Sequence, residues 1–82
     1  MTFLHFLRLQ RGLAKSEAAR LVHLLPSDYG LVERGLTTPT KGAAARISEA
    51  FGFPFEVLAA DASTLIEKGL DSHAVAALTV AP

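Results

Sequence analysis

The side chains of this chain best suited to do chemistry are basic, and they are unevenly distributed. Within residues 1–46, Arg8, Arg11, Lys15, Arg20, Arg34, Lys41 and Arg46 stand against Glu17, Asp28 and Glu33, a local net charge of +4. Residues 47–82 reverse the balance: Lys68 stands against Glu49, Glu56, Asp61, Glu67 and Asp71, a local net charge of −4, so the whole chain is neutral. A polyanion would therefore meet the N-terminal half. The alternative use of the same charges is to solvate helix surfaces.

Other chemistries lack their residues. His5, His23 and His73 do not share a helical face at i, i+4 spacing, and with no cysteine to join them a zinc site is not expected. Serine, histidine and aspartate all occur, but no nucleophile elbow and no glycine-rich phosphate loop accompanies them, so neither an enzyme nor a cofactor is expected. Phe3, Phe6, Phe51, Phe53 and Phe55 fall at helical or helix-end spacing and read as core rather than as a platform for stacked bases.

Eighty-two residues support one modest core and are too few for a spacious enzyme cleft. Half of the residues are apolar, more than so small a domain can hide, which favours self-association. The absence of cysteine suits a cytoplasmic setting. In the opening Met1–Arg8 no positive charge precedes the apolar run and Arg8 interrupts it, so no targeting segment is expected; nor does any stretch approach membrane-spanning length.

The elements that must position these residues all read as helices, because no strand-like alternation extends beyond a few positions. A first helix runs from about Phe3 to Arg11 and closes at Gly12. A second covers Leu13 to Val22, with Leu13, Ala18, Ala19 and Val22 on one face. A third starts at Pro26, where a missing N–H costs nothing, turns Tyr29 and Val32 inward and stops at Gly35. Two short helices joined by a tight turn form a helix-turn-helix. A fourth helix spans about Lys41 to Phe51, with Ala44, Ile47, Ala50 and Phe51 inward and Gly52 as its cap. Pro54 opens a short fifth helix, whose Phe55 and Leu58 close the core.

The expected division is a helix-turn-helix domain over residues 1–61 and a helical extension over residues 62–82. In the extension, Ser63 to Gly69 forms a short helix in which Thr64 and Glu67 have capping-box spacing, and Asp71 caps a last segment from Ser72 to Thr79. This tail either folds back on its own domain or presents Leu65, Ile66, Leu70, Val75 and Leu78 to a second copy as a dimer surface.

Residues Phe3 to Ala60 resemble the phage-repressor and Cro type of DNA-binding domain, the xenobiotic-response-element (XRE) family. The marks are Arg11-Gly12-Leu13, Ala19, the box Val32-Glu33-Arg34-Gly35, Pro39, and Phe51-Gly52 leading to Phe55-x-x-Leu58, in the order and spacing of that family's compact five-helix plan. The resemblance implies an ion pair between Arg8 and Glu33 that positions two helices more than it adds net stability. It implies phosphate contacts from Lys15, Arg34 and Lys41, with Thr37, Thr38 and Thr40 adding hydroxyl donors. It also places Pro26, Ser27, Asp28 and Leu31 where the family reads base edges.

At three places the sequence departs from that pattern. Ala14-Lys15 replaces the usual hydroxyl cap and phosphate-gripping Gln, which removes about 1 kcal/mol of capping. His23 stands where the turn usually has glycine, so histidine must accept a positive φ. The reading positions carry short or apolar side chains: Ser27 can bond to either partner, and Leu31 touches only a thymine methyl. Asp28 either accepts from a cytosine amino group or stabilises the start of its own helix. The function implied is a bacterial or phage transcriptional regulator, a repressor-like homodimer that binds double-stranded DNA. The alternative is a protein-interaction module, antagonist or antitoxin-like, that reads DNA weakly or not at all and contacts a protein partner through Leu31 or the acidic half.

Overall fold

Apolar residues recurring every three or four positions, with Gly12, Gly35 and Gly52 closing three of the runs, divide the chain into helices. The computed structural model describes residues 1–67, and these form α1 Phe3–Gln10, α2 Lys15–Leu21, α3 Pro26–Glu33, α4 Lys41–Phe51, α5 Phe55–Ala59 and α6 Ala62–Glu67. The described residues form an all-α domain in which the one extended contact is an isolated antiparallel bridge between Thr2 and Asp61. None of their helices is long and apolar enough to cross a membrane.

Phe3, Leu4 and Leu7 of α1, Ala18 and Ala19 of α2 and Tyr29 and Val32 of α3 meet Ile47 and Phe51 of α4 in one core, which Phe53, Leu58 and Ala62 complete. The Phe53 ring stands edge-on to that of Phe3, centroids 5.3 Å apart, a geometry that sets ring edge against ring face. Phe6 and Phe55 pack against this core while remaining partly exposed.

Three helices end in the same way. After α1, Gly12 N–H donates to Leu9 O and Leu13 N–H to Arg8 O; after α3, Gly35 N–H donates to Val32 O and Leu36 N–H to Leu31 O. Each is the paired hydrogen bond of a Schellman motif, whose central residue must be left-handed; Gly12 (φ 67°) and Gly35 (φ 74°) meet that need without strain. After α2 the pattern repeats, with His23 N–H to Arg20 O and Leu24 N–H to Ala19 O, but the left-handed position is His23 at φ 56°. This motif supplies the tight turn between α2 and α3.

Several sequence expectations shift. Leu13 is not in α2: its N–H completes the α1 cap and its carbonyl accepts from Arg8 Nη1, so α2 begins two residues later. There Glu17 Oε1 accepts from Ala14 N–H at 2.9 Å, returning part of the capping that Ala14 itself cannot supply. In α4 the buried small residue is Ala43, whereas Ala50 is exposed and Ala44 half-buried, because the core meets the row Ala43-Ile47-Phe51. The α6 cap is Asp61, whose Oδ2 accepts from Thr64 N–H, so Thr64 lies inside the first turn and does not cap it.

The division expected after residue 61 is not a break in packing. Ala62 N–H donates to Met1 O, Ala62 is buried and Leu65 packs on the core, so α6 is continuous with the domain body. Leu65 therefore faces its own domain in part and is not wholly available to a second copy. The side chain of Ile66 and residues Leu70, Val75 and Leu78, with the segment Ser72 to Thr79, lie outside the described residues.

Candidate nucleic-acid interface

The buttress that orients α3 is a buried ion pair. Arg8 Nε donates to Glu33 Oε2 at 2.8 Å and Arg8 Nη2 to Glu33 Oε1 at 3.0 Å, with the Glu33 side chain wholly buried. Arg8 Nη1 also donates to Leu13 O, so one guanidinium ties α1, the α1–α2 loop and α3. Hydrogen bonding to Glu33 holds the Arg8 pKa above its ordinary value, against the opposing effect of burial. From the other side Thr2 Oγ1 donates to Glu33 O and accepts from His5 N–H, fixing the end of α3 against the start of α1. His5 Nε2 lies 3.5 Å from Glu33 Oε1. One helical turn before Glu33, the Tyr29 hydroxyl is buried without a hydrogen-bond partner among the described residues. Burial first, and then the neighbouring Glu33 carboxylate, push its pKa far above the ordinary phenol value.

With Tyr29, Val32 and Glu33 turned inward, helical geometry sends Ser27, Leu31 and Arg34 outward in one row. Ser27, Asp28, Leu31 and Arg34 are all exposed. Gly30 borders α2, and a methyl group built on it would lie 4.0 Å from Lys15 Nζ, so Lys15 flanks the row on that side. On the other side a groove of about 230 Å³ runs between α3 and the loop leading to α4; Asp28, Leu31, Thr37 and Thr38 all border it. Lys41, exposed, follows the lining residue Thr40 at the start of α4. Of the residues expected to meet base edges and phosphates, Asp28, Leu31, Thr37 and Thr38 line this one groove.

The basic half is less available than its charge suggests. Arg8 is spent on Glu33. Arg11 Nη2 donates to Phe51 O at 2.8 Å with its guanidinium over the Phe51 ring, and Arg46 Nε donates to Val22 O at 2.8 Å. The latter two cap the C-terminal ends of α4 and α2, where orphan carbonyls and the helix dipole both favour a cation. Sequence reasoning missed both roles, since the acceptors lie 40 and 24 residues away and no local signal marks them. Arg34 Nε reaches back to Gly30 O at 3.3 Å, and Lys15, Arg20 and Lys41 make no side-chain hydrogen bond among the described residues.

A second, larger cleft, of about 530 Å³, lies between Leu21 and His23 at the end of α2 and Arg46, Glu49 and Ala50 of α4. Its charged groups are of both signs, and Arg46 is already engaged with Val22. Among the described residues no group of histidines and carboxylates is placed to hold a metal ion. No family model, curated protein or solved structure matches this chain.

Proposed function

We propose that this chain is a DNA-binding transcriptional regulator of the repressor and Cro (XRE) type, non-enzymatic and cytoplasmic, acting as a homodimer that docks α3 in the major groove of duplex DNA. The observation that carries this reading is the outward row Ser27-Leu31-Arg34, braced from within by Arg8 and Glu33 and flanked by Lys15 and Lys41. Lys15, Arg34, Lys41, Thr37 and Thr38 contact phosphates, and Ser27, Asp28 and Leu31 face base edges. The experiment is selection of bound duplexes from a random library at low and physiological salt. A motif of two half-sites about one helical turn apart supports the dimeric reader, and Ser27→Ala should change the preferred sequence. Binding that vanishes with salt and leaves no motif rejects it.

One observation favours a second reading. Leu25 just before α3, Leu31 on it and Leu36 just after it are 67%, 36% and 65% exposed, alongside the acid Asp28. Such a surface suits a protein-interaction module. A stoichiometric protein partner whose binding needs Leu31, together with no sequence preference among duplexes, would establish it.

A further inference from the structure

If α3 enters the major groove, the face it presents has a definite chemical bias. Guanine is read by a bidentate Arg or Lys and adenine by a bidentate Asn or Gln. None of these residue types occurs in α3, whose sequence is Pro-Ser-Asp-Tyr-Gly-Leu-Val-Glu, and Arg34 after it reaches back to Gly30 O. What the face offers is hydrocarbon. Leu31 borders the groove of about 230 Å³ together with Leu24 and Pro39, and Thr37 and Thr38 line its loop side. Asp28, which also lines it, accepts from an adenine or cytosine amino group and repels guanine's pair of acceptors.

Among the major-groove edges of the four bases, only the thymine C5-methyl is apolar. The other edges would lose a hydrogen bond to water on entering this groove. Lys15 on the opposite side of α3 from the groove, and the exposed Arg34 and Lys41, supply the charge that phosphates on either side require. We infer that the groove beside Leu31 receives thymine methyl groups, so that the chain selects thymine-rich duplexes by apolar contact and rejects guanine at the positions under α3. This specificity rests on the DNA-binding reading above.

The test titrates the full chain with four duplex polymers: alternating deoxyadenosine and thymidine, the same with deoxyuridine for thymidine, alternating deoxyguanosine and deoxycytidine, and the last with 5-methyldeoxycytidine. Removing the thymine methyl should weaken binding about fourfold for each methyl buried. Methylating cytosine should strengthen binding in the same direction. Leu31→Ala, a change at a surface position, should make the thymidine and deoxyuridine polymers bind alike while leaving the salt dependence unchanged. Equal binding of those two polymers by the unaltered chain, or tighter binding of the unmethylated guanine–cytosine polymer, overturns the inference and leaves DNA binding standing. Failure to bind any of the four at low salt overturns the DNA-binding reading, and the inference with it.

Discussion

Arg8 and Glu33, 25 residues apart, meet as a two-pronged hydrogen-bonded pair whose carboxylate has no exposure to solvent. A buried pair recovers in mutual attraction roughly what its desolvation costs, so its main effect is to fix α3 relative to α1. Removing one partner is a different matter, because a charge is then left buried alone. Arg8→Met is expected to cost about 3–5 kcal/mol, and Arg8→Met with Glu33→Leu to recover most of that loss. Urea unfolding of the single and double variants measures both. Additive losses would mean that the two groups act independently.

Tyr29 is the only tyrosine, and the chain has no tryptophan, so its ionisation is directly visible in near-ultraviolet absorbance. Because its pKa is raised in the folded protein, the folded state holds the phenolic proton more tightly than the unfolded chain. Its contribution to stability is therefore whole below about pH 10 and declines as pH rises beyond that, while the unfolded chain ionises. The expected result is that phenolate absorbance appears only together with loss of helical circular dichroism. Ionisation near pH 10 with the helices intact would show an accessible hydroxyl. Tyr29→Phe should remove this alkaline decline.

His23 occupies a left-handed position that glycine fills at the ends of α1 and α3. His23→Gly is expected to raise stability by about 1 kcal/mol, and His23→Val to lower it by more, because a β-branched side chain is strained at that φ. Thermal unfolding of the two variants should bracket the parent chain. A destabilised His23→Gly would mean that the imidazole contributes a contact in the cleft bordered by Leu21 and Glu49.

Lys15 and Arg46 carry the same charge and separate phosphate contact from structural capping. On the proposed function, Lys15→Ala should lower the salt dependence of DNA binding by about one unit while leaving stability nearly unchanged. Arg46→Ala removes a hydrogen bond to the end of α2 and should cost about 1 kcal/mol of stability with the salt slope unaltered. Salt titration and urea unfolding of both variants read the two effects. Exchanged outcomes would reverse the division of the basic residues drawn here.

The helices themselves were legible in the sequence because their signals are local. Gly12, Gly35 and Gly52 mark helix ends and Pro26 a beginning, and the bounds expected for the helix from Lys41 to Phe51 are those observed. The positive φ at His23 was implied by the family resemblance, in whose pattern that place in the turn belongs to glycine. Errors arose where local signals compete. Leu13 has helical periodicity with the residues after it, but its backbone is needed to close α1, and the hydrogen bonds of that cap place it outside α2. Ala50 and Ala43 are chemically alike and both fall near an inward face, so only the direction from which the other helices approach α4 decides between them.

By itself, then, the sequence determined an all-helical chain, the glycines that stop its helices and the helix-turn-helix spacing, because these depend on neighbours within a few positions. Only the tertiary structure decided which cations are spent inside the domain. Arg11 and Arg46 look no different in sequence from Lys15 or Lys41, yet each finds its acceptor at a helix end, 40 and 24 residues away. Likewise Leu31, Thr37, Thr38 and Pro39 become one groove only when the loop after Gly35 folds back beside α3. Charge and apolarity are properties of residues, but a charge that can meet a phosphate and an apolar surface with the shape to hold a methyl group are properties of packing.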